Sequence, residues 1–535
     1  MFLALALAAI GSVYAYTAIW FGAIVALLVC RALLPVPEKG SLTPLGAVIA
    51  AYAVWLVLTN ALVNPYTPAA PYYAAFLAAG FLVGRRVNAE DEARLIKAAI
   101  VFTLALAAWS IVQRASGSFS RGQAVFETPA TLAATLNLIF IPGLAAVAAG
   151  RRSAWLIGSL VVLAGALIGT ASRGGWLALA GSAVVAAVLF RRAGIAIERG
   201  AVLRIAAICV GGWLLSLVVL PISGELAYGT ASKSGAARLD LYAAAWSATQ
   251  EVSLLTGAGY LGFRSVLEAA RDRIDHYAGG FTYFVHNDYL QVLLELGMPG
   301  LAFLVALAAL PQWDAWRRLP RAAPEARLAI VALASAMAAM ALHALVDFPF
   351  YIPVCLLIYA IYAGRLAHEG LASQPATQSR LRGAVTAALG TFAALLLLKP
   401  VAAEAAHAYA NAQLAHNAPR SAIWLEVARR IEPRDWRYHW YLGQFWFHQA
   451  QAMRNPAAAR LADEAFAAGI AADPRNVPNR LWRITAHVQL RSLLPQPADR
   501  ATLQRWVDEV ARLAPREAGL KGVRRLVEDH LWGAR

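Results

Sequence analysis

Charge and cysteine are both scarce in this sequence. Charged residues make up 15% of its 535 positions, against ~25% in an ordinary soluble domain. Hydrophobic residues reach 60%. This balance excludes a disordered chain and argues against an all-soluble enzyme. The three cysteines, Cys30, Cys209 and Cys355, all lie in apolar stretches and no CxxC occurs, so neither a disulfide framework nor a zinc site is indicated. Acidic residues are outnumbered 31 to 47, giving a net charge of +16. Such a balance can signal nucleic acid. Here, however, the arginines sit between apolar runs and not along one face, so they read as topology signals and no nucleic-acid partner is expected.

Long apolar runs dominate. Candidates to cross a bilayer fall at 13–30, 43–63, 70–84, 93–113, 129–149, 154–171, 174–190, 201–221, 288–310, 326–348, 351–366 and 382–399. A short run at 2–11 is a further candidate; it lacks the basic region and cleavage site of a signal peptide. The expected fold is all-α, a polytopic transmembrane helical bundle of about 12 or 13 spans. Arg31, Arg85-Arg86, Arg151-Arg152, Arg191-Arg192, Arg317-Arg318 and Arg380 fall in every second loop. By the positive-inside rule those loops are cytoplasmic. Loops 63–70, 114–128, 222–287 and 347–351 then face outward, into the periplasm of a two-membrane bacterium. The multi-pass chain would sit in the inner membrane. Loop 222–287 is the longest, and long loops tend to carry function.

Beyond Pro400 the apolar runs stop, so the expected domains are a bundle at 1–399 and a soluble helical tail at 401–535. The tail repeats. Pro433-Arg434-Asp435, Pro474-Arg475-Asn476 and Pro515-Arg516-Glu517 are similar tripeptides whose prolines stand 41 positions apart each time. Leu442-Gly443, Ala462, Phe466, Gly469 and Pro474 resemble a tetratricopeptide repeat. Such repeats run ~34 residues, so an insertion near Met453–Ala459 is expected. The bland alternative is a plain array of helical hairpins. In either case stacked helix pairs offer a concave surface on which a protein partner would dock.

Ionisable residues at membrane depth cost about 2.5–3.5 kcal/mol on insertion scales, so each is a candidate for function. Four groups qualify. Ser172-Arg173-Gly174-Gly175 joins two apolar helices; the competing reading of Arg173 is an interfacial snorkelling side chain. Arg238 and Trp246 precede a turn with Gly257, Gly259, Gly262, Phe263 and Arg264, which matches no nucleotide fingerprint. His286-Asn287-Asp288-Tyr289-Leu290 enters a helix bearing Gly297 and Gly300, two glycines expected on one packing face. His343 and Asp347 stand at i, i+4 and share a face.

The topology brings Arg173, Arg238, His286, His343 and Asp347 to one outward face. Arginine binds phosphate oxygens bidentately and stabilises a leaving diphosphate; a neutral histidine can take a hydroxyl proton. No outward DxD-like pair and no metal-ligand cluster occurs, so metal-free chemistry without a cofactor is expected. The other reading of so many helices is a transporter or flippase. It predicts charges at the bilayer midplane and an inverted repeat, and neither is seen.

The segments Ser172-Arg173-Gly174, Arg238 before its glycine-rich turn, and His286-Asn287 followed by Gly297-x-x-Gly300 resemble the O-antigen ligase family, with its O-antigen polymerases and bacterial protein O-oligosaccharyltransferases. The layout covers about residues 1–370; the tight matches lie at 172–175 and 257–300. The resemblance implies a GT-C-type glycosyltransferase bundle. Its donor would be a glycan on undecaprenyl diphosphate, and its acceptor a hydroxyl on a growing glycan, lipid A core or protein. His286 would be the base. Arg173, Arg238 and Arg264 would hold the diphosphate, and Asp347 would orient His286 or an arginine. Ser172, Asn287, Tyr289, Gly297, Gly300 and His343 would support them. Simple O-antigen ligases usually lack a large soluble tail, so residues 401–535 shift the expectation toward polymerisation or protein glycosylation.

Overall fold

A computed structural model describes Leu5, Ile24, Val266 and residues 43–65, 69–87, 89–118, 121–126, 128–219, 228–263, 284–368, 398–413, 418–514 and 518–532. Among these residues there are helices and turns but no strand. The chain is a polytopic helical membrane protein. The helices used below are α1 (Pro44–Val63), α2 (Ala69–Gly84), α3 (Ala89–Ala115), α4 (Pro129–Ala148), α5 (Ala154–Gly169), α6 (Arg173–Ala193), α7 (Arg199–Val219), α8 (Tyr228–Ala248), α9 (Asp288–Arg318), α10 (Pro324–His343) and α11 (Pro353–His368).

Seven helices among the described residues are long and apolar enough to cross a membrane: α1, α3, α4, α6, α7, α9 and α10. Three shorter apolar helices, α2, α5 and α11, accompany them. The runs expected at 2–11 and 13–30, and all but the end of 382–399, lie outside the described residues.

Sequence punctuates the helices. Thr43 and Thr128 each cap a helix whose first residue is proline, and Ser153 and Ser172 cap α5 and α6. Their side-chain oxygens take up backbone N–H groups that the helix leaves unpaired. Small residues then let helices touch. A Cβ on Gly84 would lie 2.0 Å from the Ile361 carbonyl oxygen, and one on Gly364 would lie 2.1 Å from that of Phe81. α2 and α11 therefore pack backbone to backbone, the mode that association in lipid favours.

The two ends of the bundle differ. At one end, arginines tie turns together: Arg152 pairs with Glu198 at 2.5 Å, Arg318 donates to the Leu366 carbonyl at 2.8 Å and Arg327 to that of Ala193 at 2.9 Å. The other end holds the candidate site.

α9 is broken. Gly297 has φ 68° and ψ −169°, so a short helix from Asp288 meets a longer one at a kink. This corrects the expectation that Gly297 and Gly300 share one helical face. A Cβ on Gly297 would lie 2.5 Å from the Leu255 carbonyl oxygen, so the kink is where the preceding loop crosses the helix. His343 is likewise the last residue of α10, and Asp347 stands in the turn beyond it. The pair does not share a helix face as expected.

The tail comprises α12 (398–413), then α13 (Ala418–Ile431), α14 (Trp436–Met453), α15 (Pro456–Ala472), α16 (Val477–Gln489), α17 (Arg500–Leu513) and α18 (Ala518–Trp532). Phe466 is fully buried, and a Cβ on Gly443 would lie 2.4 Å from its ring. No insertion interrupts Met453–Ala459: Arg454, left-handed at φ 50°, ends α14, and Asn455 caps α15 at once. The spacing from Pro433 to Pro474 comes from long helices of 18 and 17 residues instead, whereas from Pro474 onward helices of 13 and 14 residues flank a connection at 490–499.

Candidate functional site

His286 is set by its neighbours before any chemistry is considered. Its backbone is left-handed at φ 58°, a region that non-glycine residues seldom occupy. Asn287 caps α9 by accepting from Leu290 N at 3.0 Å, which fixes the exit direction of the chain. Tyr242 of α8 donates its hydroxyl to the His286 carbonyl at 2.7 Å. One residue earlier, Val285 N donates to Gln291 Oε1 at 3.0 Å. Phe348 meets the imidazole edge-on, with ring centroids 4.9 Å apart.

Asp347 faces His286. Its Oδ1 lies 3.2 Å from His286 Nδ1, and its side chain is only 7% exposed against 27% for the imidazole. A carboxylate at Nδ1 holds the proton there and leaves Nε2 as the basic nitrogen. Oδ1 also accepts from Phe348 N at 3.1 Å. Arg238 Nη2 stands 3.7 Å from Oδ2, and His343 Nε2 stands 4.0 Å from it. Burial pushes the Asp347 carboxyl up, but His286, His343 and Arg238 outweigh it and hold it below the ordinary carboxylate value.

Three arginines gather at this place. Arg121 donates Nε to the Thr170 carbonyl and Nη2 to that of Ala171, both at 2.9 Å. Burial, then the like charges of Arg238 and Arg173, lowers its guanidinium from the ordinary value, while Asp347 opposes them. Such mutual repulsion is relieved when an anion binds between the cations. Arg173 opens α6 where Ser172 caps it, Ser172 Oγ accepting from Gly175 N at 3.2 Å. A Cβ on Gly174 would lie 2.8 Å from Val346 and 3.2 Å from His343 Nε2. That glycine lets α6 approach the Asp347 turn.

The remaining expected residues take humbler places. Tyr289 donates to the Ala341 carbonyl at 3.0 Å and pins α9 to α10. Gly300 packs onto its own helix near Leu296. His343 is 1% exposed and neither ring nitrogen has a hydrogen-bond partner. Arg264 lies outside the described residues. No cluster of three His, Cys, Asp or Glu residues able to hold a metal ion occurs among the described residues.

Two residues escape a reading of motifs. Arg121 is a lone arginine in a loop expected to face outward, and nothing nearby in sequence marks it. Glu295 is a fully buried acid inside α9. Its carboxylate accepts from Leu261 N at 2.9 Å, Phe263 N at 3.1 Å, Gln291 Nε2 at 3.2 Å and the Tyr351 hydroxyl at 2.7 Å. It thereby fixes the glycine-rich turn against the helix that His286 enters. The rule applied to other intramembrane charges would have found it, since it interrupts an apolar run.

Residues 158–305 match the family model described as O-antigen ligase. The match takes in Arg173, Arg238, the glycine-rich turn, His286 and the α9 kink. No curated protein matches the chain.

Proposed function

We propose that the protein is a membrane glycosyltransferase that moves a glycan from an undecaprenyl-diphosphate carrier to an acceptor hydroxyl at the periplasmic face of the inner membrane. The observation that carries this reading is the His286–Asp347 pair set against Arg121, Arg173 and Arg238. The match to the O-antigen ligase model over residues 158–305 supports the same class of chemistry, ligation or polymerisation of surface polysaccharide.

The step needs a base, an anion cradle and exclusion of water. His286 Nε2 takes the proton of the acceptor hydroxyl while that oxygen attacks the anomeric carbon. The bond from that carbon to the diphosphate oxygen breaks, and configuration inverts. Asp347 keeps Nδ1 protonated and stabilises the imidazolium that forms. The arginines neutralise charge that grows on the departing diphosphate. The part of loop 222–287 that the structure describes at 228–263 shields the donor from hydrolysis. The helical tail docks a partner or an acceptor.

The test is a deletion strain complemented with wild type or His286→Ala. Lipopolysaccharide is resolved by gel and secreted polysaccharide is quantified in the same cultures. The reading expects normal insertion of the variant with loss of one glycoconjugate. Loss of the lipid A-linked ladder means ligation, and loss of secreted polymer means polymerisation. Full restoration by His286→Ala overturns the assignment and favours transport of a lipid-linked glycan.

A further inference from the structure

The last turn of α3 carries an arginine that the proposed transfer does not use. Arg114 is 6% exposed, and Ser110, one helical turn before it, is 0% exposed. Arg114 Nε, Ser110 Oγ and Gln113 Oε1 are all buried and none has a hydrogen-bond partner. A guanidinium N–H and a hydroxyl buried without a partner each cost free energy.

Ser110 departs from the habit of its neighbours. Thr103 donates to the Ala99 carbonyl at 2.9 Å, Ser182 to that of Leu179 at 2.8 Å and Ser216 to that of Trp213 at 2.8 Å. These hydroxyls satisfy themselves on their own helix. Ser110 turns instead toward Gly122, where a Cβ would lie 2.3 Å from its oxygen. A Cβ on Gly169 would lie 2.7 Å from Arg114 Nη1. Gly122 N donates to the Gly169 carbonyl at 3.1 Å and closes the niche. Gln113 commits its Nε2 to the Ala124 carbonyl at 2.7 Å, which leaves its Oε1 buried without a donor.

The orphan groups are a guanidinium donor, a hydroxyl and a carbonyl-type acceptor. We propose that Ser110, Gln113 and Arg114 form a binding site for a phosphate group that carries a proton, separate from the arginines that face His286. Arginine and serine donate to its oxygens, and Gln113 Oε1 accepts its P–O–H. Sulfate and phosphodiesters have no such proton at neutral pH and leave that acceptor unpaired. The source is either inorganic phosphate or the monoester headgroup of a lipid. Trp109 and Val112 of the same helix are each 55% exposed, so lipid runs beside the niche. The inference does not rest on the transferase reading.

The experiment follows thermal unfolding of the purified full chain carrying Arg121→Gln, Arg173→Ala and Arg238→Ala, which removes the competing cluster. Probes are inorganic phosphate, sulfate, phosphatidic acid and phosphatidylglycerol. At saturation, inorganic phosphate or phosphatidic acid raises the midpoint by about 2–4 °C. Sulfate and phosphatidylglycerol give much less. A response to inorganic phosphate assigns a free anion, and one to phosphatidic acid alone assigns a headgroup. Adding Arg114→Gln abolishes the response; Ser110→Ala weakens it and serves if the arginine variant does not fold. No response to any probe, or one unchanged by both substitutions, overturns the site. Equal responses to phosphate and sulfate overturn the role of Gln113.

Discussion

Arg475 Nη2 donates to Asn64 Oδ1 at 2.6 Å and so joins the helical tail to the end of α1. Asn64 is 5% exposed, and its Nδ2 donates to the Tyr260 carbonyl at 2.8 Å. Tyr260 in turn stacks on Tyr351 at 5.1 Å. The tail therefore reaches the glycine-rich turn through a buried amide. Arg475→Ala should slow glycan transfer about 2- to 10-fold, the loss of one charge-assisted hydrogen bond. Asn64→Leu, which loses both bonds, should cost more. Transfer assayed in reconstituted vesicles, with limited proteolysis of the tail alongside, checks both. Equal rates for the wild type and both variants would separate the tail from the reaction.

If His286 is the base proposed above, it and Asp347 should act as a unit. His286→Ala should lower turnover by about 100- to 10,000-fold. Asp347→Asn should lose much of the same factor, because the imidazole can then hold the wrong tautomer. The double variant should be little worse than His286→Ala alone. Single-turnover rates for the three variants decide this; additive losses would mean that Asp347 serves Arg238 and not His286.

Gly297 and Gly259 tolerate no side chain. Gly297 is left-handed, and its Cβ would strike the carbonyls of Leu254 and Leu255 at 2.6 and 2.5 Å. Gly259, at φ 80°, would place a Cβ 2.4 Å from that of Asn64. Alanine at either position should reduce the folded yield or lower the unfolding temperature by several degrees, since backbone atoms cannot move aside cheaply. Alanine at Gly158, which meets nothing within 4 Å, is the control and should behave as wild type.

The tail should loosen in acid. Asp463 accepts from Arg483 Nε at 2.6 Å and stands 2.9 Å from His487 Nε2. Burial pushes its carboxyl up, but these partners prevail and hold it at about 2. The folded value lies below the unfolded one of about 3.9, so the stabilisation is complete above pH 4 and vanishes as pH falls through 2. It amounts to about 2 kcal/mol. Asp463→Asn should remove it at neutral pH and flatten the acid limb of a stability curve followed by tail tryptophan fluorescence. An unchanged acid limb would count against the pairing.

The bundle was largely legible in the sequence because bilayer thickness demands long apolar runs, and α1, α3, α4, α6, α7, α9 and α10 announce themselves that way. Arg173, Arg238, His286 and Asp347 could be brought to one end because loop arginines alternate. What stayed hidden depended on backbone conformation. No period marks the break at Gly297, and nothing about a lone Arg121 tells that it bridges to Thr170 and Ala171. The tail spacing misled for a related reason. A repeat length counts residues, and it cannot tell a longer helix from an inserted loop.

The left-handed backbone of His286 carries one more implication. Histidine there holds a conformation costing on the order of 1 kcal/mol that glycine would adopt freely. His286→Gly would relieve that strain but lose the Asp347 contact, so it should melt below the parent yet above His286→Ala, which loses the same contact and keeps the strain. The gap between the two variants' melting temperatures measures the strain that this turn stores while it points the imidazole at Asp347.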